Sequence, residues 1–309
     1  MTTAPAFSIV LAIKGSTHHD AASAAHDNID RFLRVGIPSY ERFLDRTGLA
    51  EFVVVAPAAD LARLREELTA SLPDWPWRFL DERVLIAKGI PGGWATQQMI
   101  KLAIAPVLKT DVYLIIDDDC FLVRPFGAAD LWHGGRLVMT TMPAIDFPFF
   151  ALWSARVLGM EGRFDEIQGF PYHMAITPEA FHRSVVLEII AHLEGRYGRT
   201  KLGAGGGWQE HLANNKFTEY WIYWIYILLM GRARELYIEP GPGVPAMYAH
   251  VVSGKEHDMA TQVARAFDEA TGPDGRAQHF FSFVQTSLSF NNEQVRAAVL
   301  PRLAAAQGA

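Results

Sequence analysis

Apolar positions in this chain gather into short continuous runs that stop at turn residues, with helix-spaced stretches between them. The run 9–13 stops at Lys14-Gly15-Ser16 and the run 52–55 at Ala56-Pro57, so the opening rhythm is strand, helix, strand. A third run over 78–86, a helical stretch over 95–108 and a fourth run, Val112–Ile116, continue the alternation. This order predicts an α/β fold with a mostly parallel central sheet flanked by helices.

Further along, 137–141 and 173–176 read as strands. Thr177-Pro178-Glu179 offers a capping hydroxyl and a first-turn proline before a predicted helix over 180–193, which ends at Gly195. The stretch 196–208 is the loosest in the chain, with Gly203, Gly205, Gly206 and Gly207; it reads as a plain linker or as a lid with Trp208 at its tip. A helix follows over 218–230, apolar on every face and therefore expected to be buried. After Gly241-Pro242-Gly243 come a strand over 246–251, a helix over 260–270, an aromatic run over 280–284 and a terminal helix. No internal repeat is visible, and the expectation is one domain over 1–309, with 1–140 as one half and 141–309 as the other.

Composition narrows the class. Of 309 residues, 50% are hydrophobic and 20% charged, which excludes disordered and fibrous chains. Lys plus Arg is 28 against 34 Asp plus Glu, so the formal charge of -6 gives no reason to expect a nucleic-acid partner. The single cysteine, Cys120, forbids an intrachain disulfide and any multi-cysteine metal site. The first seven residues lack the pattern of a secretory signal, and the apolar segment 220–230 is shorter than the roughly 20 residues a spanning helix needs. The expected location is the cytoplasm, with peripheral contact at the inner face of the membrane as the alternative; Arg232 and Arg234 are a weak lipid signal.

The most informative segment is the fourth strand, which runs directly into Asp117, Asp118 and Asp119. Three adjacent carboxylates repel one another and no basic residue is near before Arg124, so a bound cation or a donor-rich nest is expected to stabilise them. Alternation along an extended strand puts Asp117 and Asp119 on one face, with Asp118 turned away toward a sugar hydroxyl or backbone amides. All-oxygen ligands favour Mn2+ or Mg2+ over zinc. The competing reading is a solvated acidic turn.

An apolar strand ending in Asp-x-Asp resembles the GT-A class of nucleotide-sugar glycosyltransferases. The segment from Gly93-Trp94-Ala95-Thr96-Gln97-Gln98 through Lys101 to Arg124-Pro125-Phe126, with Phe217-Thr218-Glu219-Tyr220, resembles a bacterial group of glycosyltransferase-like proteins first catalogued as of unknown function. The resemblance implies a GT-A-like fold and transfer of a sugar from a nucleoside-diphosphate donor to a carbohydrate or glycolipid acceptor. It also implies a metal on Asp117 and Asp119 that stabilises the leaving diphosphate, and a setting in surface polysaccharide or glycolipid assembly. His250 resembles the late histidine that completes the metal shell in many GT-A enzymes, with His257 as competitor.

Other residues carry two readings each. Gln97 and Lys101 project from one helix face beside Gln98, where amides suit a sugar or base and the ammonium suits phosphate, or they form an ordinary polar face. Trp94 is a stacking platform or core. Glu219, at the start of a dense apolar run, is the first candidate base, although favourable charge at a helix N-terminus explains it equally; Glu210 and Asp146 are substitutes. His173 faces an acceptor or satisfies a strand edge. Two rival functions remain. A haloacid-dehalogenase-like phosphatase ends a strand in Asp-x-Asp too, but on its first strand and with a later acidic pair. A non-catalytic carbohydrate-binding protein keeps the fold without turnover.

Overall fold

The computed structural model describes residues 5–15, 27–142, 148–167, 173–174, 177–252, 258–272, 276–284 and 291–306. Numbering only the strands that bear on the site, they are β1 (Phe7–Ala12), β2 (Leu49–Ala56), β3 (Trp77–Asp81), β4 (Val112–Ile116), β5 (Cys120–Leu122), β6 (Glu179–His182), β7 (Ala246–Val252) and β8 (His279–Val284). The helices treated likewise are α1 (Asn28–Arg31), α2 (Ile37–Phe43), α3 (Ala58–Ser71), α4 (Trp94–Ala103), α5 (Pro148–Leu158), α6 (Arg183–Tyr197), α7 (Gly207–Ala213), α8 (Glu219–Leu229), α9 (Met259–Asp268) and α10 (Asn292–Ala305).

β1 and β4 are buried along their whole length, as expected of strands with both faces covered by helices. The central sheet runs β3-β2-β1-β4-β6, with the first four strands parallel and β6 antiparallel to β4. This is the α/β architecture with a mostly parallel central sheet expected from the pattern, and it fits the fold the resemblance implies. The single polar residue within β1 is accommodated at the strand's amino end, where the Ser8 hydroxyl donates to Glu51 Oε1 at 3.0 Å and lies 2.7 Å from Thr110 Oγ1. A second sheet, β7-β8-β5, continues from the acidic end of β4.

Three boundaries differ from the sequence expectation. The helix expected over 180–193 begins only at Arg183, because residues 179–182 pair with β4, Ala180 facing Leu114 and Phe181 facing Tyr113. Closing an otherwise bare sheet edge outweighs the local helix-start signal. The stretch 95–108 divides into α4 and a tight turn, Ala105–Val107, because Pro106 has no N–H to continue the helix. Trp208 is no lid tip: it is 3% exposed inside α7. The preceding Gly207 has φ +69°, and a Cβ there would stand 2.6 Å from the Arg199 backbone, so the glycine run folds back tightly onto the end of α6.

α8 is buried almost throughout, as expected, with the Thr218 hydroxyl capping its start by accepting from Trp221 N at 3.1 Å. It packs beside β6, where the Phe181 and Tyr223 rings stack at 4.0 Å. No helix among the described residues is long and apolar enough to cross a membrane.

Candidate functional site

After β3 the chain crosses back through α4 to form β4 on the other side of β1. The strand order therefore reverses between β1 and β4, and the crevice beyond their carboxyl ends is where ligands bind in open α/β sheets. Leu11 pairs with Ile116, so Asp117 sits one step beyond the paired region, next to Ala12. Gln97 Nε2 donates to the Ala12 carbonyl at 3.1 Å, which ties the start of α4 across this rim. Asp117 N donates to Thr177 Oγ1 and its carbonyl accepts from Cys120 N, each at 3.1 Å, turning the chain from β4 into β5. Three strands precede the acidic motif, unlike the first-strand position of the phosphatase motif.

The acidic cluster is met by two protein cations that sequence proximity did not reveal. Lys101, 1% exposed, places Nζ 2.7 Å from Asp117 Oδ1 and 2.8 Å from Glu219 Oε1, and donates to Tyr220 Oη at 3.2 Å. Its three N–H directions are thereby taken inside the protein. Burial works to lower its pKa, but the two carboxylates outweigh this and hold it above its usual value. Gln98, with its amide nitrogen turned toward the carboxylate, donates to Glu219. Glu219 itself is 0% exposed, and burial pushes its pKa up to about 7 against the pull of Lys101.

Asp118 and Asp119 lie in the turn from β4 into β5 rather than in an extended strand, so strand alternation does not set their directions, and the partner of Asp118 is the buried guanidinium of Arg31 in α1 rather than a sugar hydroxyl or backbone amides. Arg31 also donates to Asn28 Oδ1 at 3.0 Å. Burial raises the Asp118 pKa while Arg31 opposes the shift. Asp119 is held well above the carboxylate range by burial and then by the charges of Asp118 and Asp117.

Trp94 stands 53% exposed at the first turn of α4, its ring 5.8 Å from that of Phe150. The backbone of His250 lies in β7, opposite Ser282 of β8, which in turn pairs with Phe121 of β5. Two strand spacings, about 10 Å, thus separate its strand from the one that follows the acidic motif. Asp146 and His257 lie outside the described residues, His173 is described only as backbone in a short strand, and Glu210 is exposed on α7.

Two of the three carboxylates bear on whether a cation fits here. Asp119 Oδ1 is buried with no hydrogen-bond partner among the described residues, while the Asp117 side chain remains 30% exposed and commits Oδ1 to Lys101. An unpaired buried carboxylate oxygen beside a second, solvent-facing carboxylate suits a hard divalent ion. Among the described residues no three His, Cys, Asp or Glu side chains gather as a metal cluster; the His250 side chain is not among them.

Arg31 is the residue that sequence reasoning missed. It stands 87 positions from Asp118, in a helix with no motif, and only the packing of the following segment, Phe32–Phe43, against β5 brings the two together.

The model of a family described as "Family of unknown function (DUF6492)" matches residues 4–306. Among solved structures, the chain is similar to the apo form of the bifunctional glycosyltransferase WbbM, with a TM-score of 0.52 and 11% identity, over 98% of this chain and 50% of that one. It is also similar to the apo form of mouse xyloside xylosyltransferase 1, with a TM-score of 0.44 and 10% identity over 90% of this chain and 97% of that one. A third is 4-diphosphocytidyl-2C-methyl-D-erythritol synthase from Anaerococcus prevotii DSM 20548, with a TM-score of 0.38 and 12% identity over 79% and 90%. No curated protein matches the sequence. The likeness to WbbM is one of fold, and the chain spans half of that protein's length.

Proposed function

The chain belongs to the DUF6492 family, and we propose that within it this protein is a metal-dependent glycosyltransferase that moves a sugar from a nucleoside-diphosphate donor to a carbohydrate or glycolipid acceptor. The observation that carries the reading is the pairing, at the strand-order reversal, of a solvent-facing Asp117 with an Asp119 oxygen that is buried and unpartnered. Asp117 and Asp119 are the assigned holders of Mn2+ or Mg2+, with His250 as the candidate third donor. Bound there, the ion would act as a Lewis acid toward the departing diphosphate.

The other residues take roles their surroundings allow. Lys101 has no donor left for a phosphate and acts by fixing the orientation of Asp117. Glu219, sealed from solvent and paired with Lys101, is assigned to positioning rather than to proton abstraction, which requires reach to the acceptor hydroxyl. Asp118 and Arg31 together anchor the turn after β4. Gln97 clamps α4 to β1, and Trp94 offers an open ring for stacking against a base or sugar. The half up to residue 140 is assigned the donor and the half from 141 the acceptor.

Calorimetry with UDP and GDP tests the reading, with MnCl2 and again with EDTA. The expected result is binding of at least one nucleotide that requires the metal, weakened tenfold or more in Asp119→Ala because a diphosphate without its cation meets a repulsive acidic rim. Nucleotide affinity indifferent to both metal and substitution would overturn it.

A further inference from the structure

A second concave surface is formed by α5 and its neighbours. A groove of about 440 Å³ runs between the C-terminal part of α5, the end of α6 and the segment after α7. It is joined to the cluster through the protein: Ser154 of α5 accepts from Thr218 N at 3.3 Å and donates to Thr218 O at 3.5 Å. Thr218 caps α8 directly before Glu219, the partner of Lys101. The helix that lines one side of the groove is therefore hydrogen-bonded to the start of the helix that carries Glu219.

The lining is organised rather than incidental. Tyr197 donates its hydroxyl to Val157 O at 2.6 Å, and its ring stacks on His211 at 3.6 Å and 11°. Asn214 and Asn215 each donate one amide N–H to the backbone of α7, to Glu210 O at 2.9 Å and His211 O at 2.7 Å. Their side-chain carbonyl oxygens are of the type that accepts from hydroxyl groups. Lys216 stands 4.5 Å over the Trp153 ring, and Arg156 is exposed at the same edge. No carboxylate lines the groove among the described residues, in a chain whose formal charge is -6. Burial and then the charge of Arg196 hold the His211 pKa below its usual value.

Cations, hydroxyl-binding amide oxygens and rigid aromatic rings in one concave surface are the chemistry that recognises a sugar bearing an acid group. We propose that this groove binds an acidic oligosaccharide, with Arg156 and Lys216 on its carboxylate or phosphate groups and Asn214 and Asn215 on its hydroxyls. This rests on the transferase reading for its meaning: an acceptor chain held there would sit on a helix tied to the start of α8, which carries Glu219. A membrane surface is the less favoured occupant, because lipid tails leave the amide oxygens without partners, and among the described aromatic residues near α5 only Trp94 and Phe149 are exposed as far as 53% and 65%.

The test is direct binding, read by tryptophan fluorescence and calorimetry, of trigalacturonate and sialyllactose against neutral maltotriose and lactose, with phosphatidylglycerol vesicles in parallel. At least one acidic sugar is expected to bind ten or more times tighter than its neutral counterpart, with the preference reduced by salt. The exposed double substitution Arg156→Ala and Lys216→Ala should abolish the preference while leaving UDP or GDP binding with manganese as in the parent. Asn214→Ala with Asn215→Ala should weaken acidic and neutral sugars alike. Equal or absent binding of all four sugars, an unaltered double variant, or vesicle binding in place of sugar binding overturns the proposal. Sugar binding without any nucleotide binding leaves the groove standing and removes the transferase reading; the reverse removes only the groove.

Discussion

Replacing Lys101 by Met removes a buried ammonium while nearly keeping its volume, and exposes what that charge does for the acidic rim. Its nitrogen lies 2.7 Å from Asp117 Oδ1 and 2.8 Å from Glu219 Oε1, so the two oxygens are left facing each other across the vacated position. At about 5 Å and an effective dielectric of about 20, their repulsion is about 3 kcal/mol, in line with the about 3–5 kcal/mol typical of breaking a buried pair. Protonation of Glu219 is the escape. In the parent its pKa is already raised from 4.5 to about 7. A raised carboxyl pKa means the folded state binds the proton more tightly, so this contribution is complete below pH 4.5 and is lost as pH climbs through about 7. Without Lys101 the pKa rises further and the window of loss extends above 7. The variant should therefore lose about 3 kcal/mol at pH 8.5 but only about 1 kcal/mol at pH 5, where Glu219 is protonated in both proteins and only the partly exposed pair with Asp117 is missing. Urea unfolding followed by tryptophan fluorescence at both pH values measures this, and the double variant with Glu219→Gln should recover most of the loss at pH 8.5. Equal costs at the two pH values, or a larger cost at pH 5, would refute the reasoning.

Three further outcomes are expected. Arg31→Ala leaves Asp118 buried without its counter-charge and should cost about 3–5 kcal/mol at pH 7; a change under 1 kcal/mol in chemical unfolding contradicts the assigned pair. Glu179 is fully buried, neither oxygen has a well-formed hydrogen bond, and burial holds its pKa well above the usual value. The folded state thus keeps a proton that the unfolded chain releases above about pH 4.5, so Glu179→Gln should stabilise the protein at pH 8 by more than about 1 kcal/mol and leave it unaltered at pH 4; a pH-independent effect argues otherwise. Gln209 accepts from Ala87 N at 2.8 Å and donates to Leu85 O at 2.7 Å. Gln209→Ala strands both groups, at about 2–4 kcal/mol, and should speed amide exchange at Ala87, which hydrogen–deuterium exchange resolves.

What the chain could announce by itself was whatever depends on neighbours in sequence. Continuous apolar runs that stop at turns showed the parallel sheet, because a strand covered on both faces must be apolar on both. The all-apolar segment that becomes α8 showed its burial for the same reason. Asp117–Asp119 at the end of β4 were legible as a candidate site because concentrated charge directly after a buried strand is costly without a partner. Who that partner is was not legible. Lys101 and Asp117 are joined by the packing of α4 beside β4, and Arg31 reaches Asp118 across 87 positions. Residues 179–182 became a strand because β4 had an open edge, a fact held in the sheet and absent from the local sequence. The groove beside α5 draws on three segments, around 153–157, at 197 and over 211–216, and none of them has a motif. Periodicity and composition are properties of the line and decide which residues must be buried; charge pairing and concave surfaces are properties of distance, and only the folded chain sets distance.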